Sequence, residues 1–385
     1  MQAEFDLIII GAGCAGLSLG VQLAKMNGTV PKTLLLESRK FYENDRTWCF
    51  WGEPGAAYSE MASHQWTQLT VQSAKEKVSF ECDFAPYQIL ASQTFYDYAV
   101  QSIAQNALLD LRMDSVVLQE PQYQEGWWRL DTSCGPIRAR AVVDTRPKSM
   151  ESLKNTTLWQ SFLGYEIESK EAIFDPLTAR LMDFYPANSE FVGFNYVLPQ
   201  SEKRALIEFT TFAHRPYFPN ELQSKLDQSV AQYLKGGDFK IIRTESGLIP
   251  MGLATDNSLV VKVDHPSYVY AGLTAGGARP ATGYAFQRIQ EWARKCAGAM
   301  KETGLPLAHA NDSYLLKKMD DIFLNVIRDH PDLGPELFMD LFAKVESKRL
   351  VRFLSDKGHL VDYLAVIKAL PAAPFLKDIF NFSSL

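Results

Sequence analysis

The chain has 385 residues, 46% apolar and 22% charged, with a net charge of −6; this is a globular composition, with enough length for two or three domains. The small acidic excess gives no reason to expect nucleic-acid binding. The cysteines, Cys14, Cys49, Cys82, Cys134 and Cys296, are odd in number and widely spaced, with no CxxC pair, which points away from a disulfide framework or a zinc ribbon and fits a reducing, cytoplasmic compartment.

The first apolar run, residues 5–10 (FDLIII), predicts a buried strand. A helical pattern over 13–26 and a second strand at 33–37 (TLLLE) complete a βαβ unit, whose parallel strands imply a covered α/β sheet. Nothing before residue 5 resembles a basic, cleavable leader. Residues 38–60 are loop-like yet carry Trp48, Phe50 and Trp51. A helix is expected over 92–106 with Ser92 as its cap, then short strands near 108–118, 126–132 and 137–143, the last leading to Asp144. Residues 155–212 are β-rich and aromatic and predict an antiparallel sheet; a helix follows at 219–235. Strand 259–271 and helix 281–301 return the chain to the first domain, and 312–385 is largely helical. The expected division is 1–150 with 240–305 as a discontinuous dinucleotide-binding domain, 151–239 as a β-rich substrate domain, and 306–385 as a helical region. No stretch reaches the roughly 18 uninterrupted apolar residues that span a bilayer.

Gly11-Ala12-Gly13-Cys14-Ala15-Gly16 is a GxGxxG placed between the first strand and the first helix. Gly11 permits the tight turn, Gly13 lets backbone approach a pyrophosphate, and Gly16 allows close helix–strand packing. The helix N-terminus at Cys14 and Ala15 then faces the phosphates. Glu37, ending the second strand, can accept bonds from both hydroxyls of an adenosine ribose and disfavours a 2′-phosphate, so FAD or NAD fits better than NADP. A second glycine-rich segment, GLTAGGARPATGY at 272–284, brings Thr274, Gly276, Gly277, Thr282 and Gly283. Its small residues would let backbone pass close to a ribityl chain, with Gly283 at a helix start. This segment resembles the C-terminal flavin motif of p-hydroxybenzoate-hydroxylase-like and geranylgeranyl-reductase-like flavoproteins. It departs from them in Leu273, where those proteins usually carry an Asp.

Further segments narrow the reading: NDRTWCFW (44–51), SFLGYEIES (161–169), FDPLTARLMDF (174–184), SEKRALIEFTTF (201–212), ESGLIPMG (245–252) and AGGARPATGY (275–284). Together they resemble the bacterial lycopene β-cyclases, from about residue 5 to the C-terminal PFLKDIF. The resemblance implies a Rossmann-like FAD-binding α/β fold. It implies cyclisation of the end groups of lycopene to β-ionone rings by way of γ-carotene, without net redox change. It also implies noncovalent FAD in its reduced form, with NADPH or NADH as reductant.

That chemistry adds a proton to the terminal C1–C2 alkene, lets the C5–C6 alkene attack the tertiary cation, and removes the C6 proton. The acid must be well placed and the cation shielded from water and met by negative charge or aromatic faces. Glu208 matches the acidic position of the family's LIE(D/E)T-type motif and is the expected acid; Phe209 stands where a second acid commonly follows. From the bare sequence, Glu208 alternates with Leu206 and Thr210 and reads more readily as a solvated strand residue. Asp183 in LMDF matches another acid of the family. Trp48, Phe50 and Trp51 are expected to offer π faces to the cation, or else to pack a domain interface. Arg46 and Asp144 join the expected cofactor contacts, with an Asp45–Arg46 ion pair shaping the loop. No histidine spacing suggests a metal. Because lycopene is a hydrocarbon, peripheral contact with the inner face of the cell membrane is expected, with Phe338, Leu341, Phe342, Val345, Phe375 and Phe380 as anchors or as core. A redox flavoprotein (a hydroxylase or polyprenyl reductase), a prenyl carrier, and a cyclase of another polyene or meroterpenoid stand as alternatives.

Overall fold

The computed structural model describes residues 3–28, 30–53, 55–252 and 265–381, with side chains as far as residue 376. The βαβ unit is β1 (Ala3–Ile10), α1 (Cys14–Ala24) and β2 (Thr33–Leu36). The aromatic stretch expected to be loop contains β3 (Thr47–Trp51). It is followed by β4 (His64–Trp66), β5 (Gln68–Gln72), β6 (Lys77–Glu81) and β7 (Tyr87–Ala91), which runs straight into α2 (Ser92–Ala104). Ser92 does not cap that helix. Its hydroxyl accepts the Arg46 N–H at 3.2 Å and so ties down the 43–46 loop. Next come β8 (Leu109–Arg112), β9 (Gln122–Gln124), β10 (Trp127–Thr132) and β11 (Gly135–Asp144).

One sheet has the order β8-β2-β1-β11-β10-β9, parallel from β8 to β11. Leu7 and Ile9 point to one face, packed by α1 and α2, while Ile8 and Ile10 point to the other, against Trp128 and Tyr268. Burial on both faces is why the first strand reads as a continuous apolar run. β3, β4 and β7 make a separate three-stranded sheet.

The second large sheet is built from β12 (Leu158–Ser169), β13 (Thr178–Phe184), β14 (Phe191–Pro199), β15 (Arg204–Ala213) and β16 (Phe239–Met251), in the order β16-β12-β15-β14-β13-β5-β6. β5 and β6 enter from residues 68–81 and β5 pairs in parallel with β13, so the sheet reaches beyond the 151–239 stretch expected to form it. One face is covered by α3 (Pro219–Tyr233), whose Leu222, Leu226 and Val230 meet Ile207 and Phe209. β17 (Tyr268–Tyr270) then returns to β11; the part of the expected 259–271 strand before residue 265 lies outside the described residues. α4 (Phe286–Thr303) packs on α1.

The remaining helices are α5 (Tyr314–Asp329), α6 (Gly334–Lys344), α7 (Ser347–Leu354), α8 (Leu360–Ala369) and α9 (Ala372–Asn381). They roof the sheet face opposite α3. Phe338, Leu341, Phe342 and Val345 are therefore core and not anchors: Phe338 stacks on Phe184 at 5.9 Å and Phe342 on Phe80 at 5.3 Å. Exposing each would forfeit about 1.5–3 kcal/mol of burial. Phe375 is packed partly against the same core, and the side chain of Phe380 lies outside the described residues. Among the described residues, no helix is long and apolar enough to cross a membrane.

Candidate active site

The glycines of the first motif stand as their chemistry requires. Gly11 has φ +86°, and a Cβ on Gly16 would lie 2.0 Å from the Gly11 carbonyl oxygen. A Cβ on Gly13, by contrast, would meet no atom within 4 Å, so the cradle is open on the side a pyrophosphate would approach. Arg46 lies close enough for its charge to act on Cys14 at the start of α1, and it pairs with Asp45 at 3.1 Å. Glu37 is buried at the mouth and accepts the Ala12 N–H at 3.0 Å. Sequence reasoning missed Arg39, which pairs with Glu37 at 3.1 Å and covers the rings of Tyr42 and Tyr96. The alternation pattern carried no signal for it.

The second glycine segment lies directly beside the first. A Cβ on Gly272 would sit 3.4 Å from the Ala15 methyl, and one on Gly277 would sit 2.6 Å from the Gly272 carbonyl oxygen. Gly272, Gly276 and Gly283 have φ of +94°, +92° and +70°, which side-chain-bearing residues rarely adopt. Thr274 accepts the Lys148 N–H at 3.1 Å, and Thr282 accepts the Tyr284 N–H at 3.3 Å. His309, also unforeseen, backs this loop: its Nε2 accepts the Gly272 N–H at 3.1 Å. Burial, with help from the Arg288 charge, pulls the imidazole down to about 3, so it stays neutral. At the far end Arg279 is fully buried. It forks onto Asp320 of α5, donates to the Phe353 carbonyl and lies 4.3 Å over the Phe353 ring.

Asp144 is placed differently from expectation. Its carboxylate is taken up by the Arg146 guanidinium, at 2.6 Å, and by the Tyr268 hydroxyl, at 2.9 Å. It braces the strand ends and turns no free oxygen toward the cradle. Otherwise the residues present suit FAD. The two glycine loops make one groove at the α1 N-terminus. Gln160 Oε1, 2.5 Å from where a Gly283 Cβ would stand, and Trp51 Nε1 are buried without a partner among the described residues. They offer an acceptor and a donor to a polar ring system. Gly13→Val is expected to fold, since its Cβ would meet nothing within 4 Å, and to lose the flavin spectrum; a full flavin complement in that variant would contradict the assignment.

Glu208 lies on β15, on the face turned away from α3. Its ladder neighbours are Gly164 on β12 and Tyr196 on β14, and beyond Gly164 stands Glu245 on β16. The solvated-strand reading fails because the C-terminal helices and β3 cover this face, leaving Glu208 9% exposed. Thr210 donates to its carboxyl at 2.7 Å. Burial, and next the charge of Glu245, push the Glu208 carboxyl up to about 8, so it carries a proton at neutral pH.

The other expected residues divide. On β3, Thr47, Cys49 and Trp51 face this cluster, whereas Trp48 and Phe50 face the first domain and stack on Phe286 at 5.3 and 5.1 Å. Trp51 lies 4.8 Å from Tyr87 and 5.3 Å from Tyr284, and Tyr284 neighbours Tyr87 and Tyr196 closely enough for each to act on its hydroxyl. The aromatic surface near Glu208 is thus Trp51 with three tyrosines, and the 272–284 loop reaches it through Tyr284. Asp183 is not brought there. Ala179 and Leu181 point into the roofed core, and simple alternation would send Asp183 with them. A register shift between Arg180 and Asp183 turns Met182 and Phe184 inward instead. Asp183 therefore faces α3, paired with Arg180 at 2.9 Å and with the Tyr233 hydroxyl at 2.5 Å.

Comparison with known proteins bears on the family and the fold. A family model described as "Lycopene cyclase protein" matches residues 6–379. A lycopene beta-cyclase of Pantoea ananas is 22% identical over 392 residues, covering 98% of this chain and 97% of that one. One of Pseudescherichia vulneris is 26% identical over 314 residues, covering 78% and 76%. Among solved structures, a geranylgeranyl bacteriochlorophyll reductase-like protein of Thermoplasma acidophilum aligns over 100% of both chains with a TM-score of 0.60 and 15% identity. The halogenase PltM, solved as a variant in complex with FAD, aligns over 90% of this chain and 78% of its own, with a TM-score of 0.53 and 12% identity. These two likenesses concern the fold.

Proposed function

The chain belongs to the lycopene cyclase family, and from that premise we propose that it closes the linear ends of lycopene into β-ionone rings by acid–base chemistry without net redox change. The observation that carries this reading is a buried carboxyl, Glu208, raised in pKa by its burial and set among aromatic rings beside the loop suited to flavin. Glu208 would hold its proton toward the C1–C2 alkene. Trp51, Tyr87, Tyr196 and Tyr284 would exclude water and face the cation that follows. A proton enters at C2 and another leaves from C6, so atoms and electrons balance within the substrate. Reduced FAD, replenished by NADPH or NADH, would supply electron density beside the cation, with Gly11, Gly13, Gly16, Glu37, Arg46 and the 272–284 loop holding it.

A C40 hydrocarbon must be drawn from a bilayer, so the proposal includes peripheral contact with the inner face of the membrane. Its seat moves from the expected 338–345 residues to α8. There Leu360, Val361, Leu364 and Ile367 are 61%, 55%, 46% and 49% exposed along one side of the helix.

One experiment addresses both parts: anaerobic incubation with lycopene-bearing liposomes, with and without a flavin reductant, followed by pigment analysis and flotation. β rings should form only with reductant, with far less NADH consumed than rings made, and protein should float with the vesicles. Leu364→Glu/Ile367→Glu should float on the order of tenfold less or weaker still. Stoichiometric NADH consumption would favour the reductase or hydroxylase reading, and a parent protein that never floats would remove the membrane.

A further inference from the structure

We infer that Glu245 is the fixed negative charge that keeps the proton on Glu208. The two face the same side of the sheet in one ladder row, and only Gly164 stands between them. This deepens the reading of Glu208 as the acid and rests on it only for its catalytic meaning.

The argument begins with spacing. Strands lie about 4.8 Å apart, so residues two strands apart are separated by roughly 10 Å between Cα atoms, within reach of two glutamates leaning toward each other. A side chain at position 164 would close the gap: a Cβ there would sit 3.2 Å from the Glu208 Cβ. The glycine leaves the two carboxyls in the same buried, low-dielectric space, where like charges repel strongly.

Burial raises both carboxyls, Glu245 as well as Glu208, and the cations then decide which of the two stays ionised. Glu245 accepts from Thr47 Oγ1 at 2.8 Å and pairs with Arg243. Arg243 also donates to Thr47 at 2.6 Å and pairs with Glu166 at 3.0 Å, and Glu166 takes Arg204 as its second cation at 2.5 Å. Arg243 and Arg204 thus pair with Glu245 and Glu166; the Arg243 charge reaches Glu208 only as the smaller, opposing influence, and among the described residues no cation is bonded to Glu208, whose bonded neighbour is the neutral Thr210 hydroxyl. A third carboxylate would leave a net buried charge, so Glu208 keeps its proton. The other groups facing Glu208 cannot change this count. Cys49 of β3, Tyr87 of β7, Tyr196 of β14 and Tyr284 of the 272–284 loop are all held neutral by burial, which raises each of them. Glu245 acts through Glu208 and is a positioning residue.

The test needs no substrate. In the FAD-loaded enzyme, the infrared carbonyl band of a protonated carboxyl, assigned to Glu208 by its loss in Glu208→Gln, is followed as pH rises. Glu245→Gln should lower the midpoint of that band by about one pH unit or more, because a like charge is removed and Arg243 is freed toward Glu208. Glu245→Asp should keep the midpoint near the parent value. If Glu245→Gln fails to fold with Arg243 unpaired, Glu245→Gln/Arg243→Met removes both charges. Its midpoint should also fall, by a smaller amount. An unchanged or raised midpoint in the folded variant, or no protonated band lost in Glu208→Gln, overturns the inference. Failure of the enzyme to make β rings, with the shift observed, would instead overturn the proposed function.

Discussion

Glu208→Gln is expected to lower β-ring formation by roughly 10²–10⁴-fold, the usual contribution of a positioned general acid, while FAD content and fold are retained. The substitution keeps volume and the contact to Thr210, which can turn to suit an amide. It removes only the transferable proton. Stability should not suffer. The carboxyl's folded value of about 8 lies above its ordinary 4.5, so its contribution to folding is fully present below 4.5 and is lost as pH rises through about 8. An amide has no such dependence, and the variant should be at least as stable as the parent above pH 8. The parent's rate should likewise fall as pH rises through the same range. Pigment analysis under saturating reductant, with denaturation curves at pH 7 and 9, checks both statements. Near-normal cyclisation with normal FAD content would remove Glu208 from the chemistry.

The second large effect is on stability. Arg279→Leu should cost about 3–5 kcal/mol, because it strands Asp320, 2% exposed, without its cation. The Phe353 carbonyl loses its donor as well. The backbone of residue 279 also closes the glycine loop, its carbonyl accepting the Gly283 N–H at 2.9 Å, so flavin should be lost together with stability. Replacing both partners, Arg279→Met with Asp320→Leu, should recover more than half of the loss, since a buried ion pair is often little better than an apolar pair of similar volume. Denaturant unfolding of the single and double variants measures this. A double variant no more stable than Arg279→Leu would show that the bridge has a role beyond burying its own charges.

The glycine positions were legible in the sequence because they are dictated by local backbone geometry: Gly11 and Gly16 are required whatever the rest of the chain does. The βαβ unit was legible for a similar reason, since burial on both faces writes a continuous apolar run. Glu208 was not legible from alternation. A strand pattern tells which face a residue takes but not what covers that face, and here the cover over Glu208 comes from β3 and the 272–284 loop, both distant in the chain. Asp183 shows the converse. One extra residue in β13 reversed its face, and no sequence pattern marks such a bulge. Trp48 and Trp51 were grouped because they are close in the chain, yet the pleat of β3 sends them to different cores. Arg39, His309, Arg279 and Glu245 gave no signal because each matters through a partner distant in sequence.

The parallel pairing of β5 with β13 has a consequence for biosynthesis. Gln68 must wait for Thr178, and Leu69 and Val71, fully buried in the finished sheet, have no strand beyond β6 to shelter them until then. At translation rates of about 5–20 residues per second, that interval is on the order of ten seconds. During it the nascent chain presents an unpaired, apolar strand edge, the kind of surface on which chains stick to one another. The yield of active protein should therefore be governed by synthesis speed and chaperone supply more than by the stability of the finished molecule. Separate expression of residues 1–150 should give aggregates, because that fragment carries β5 and β6 without the strand that receives them.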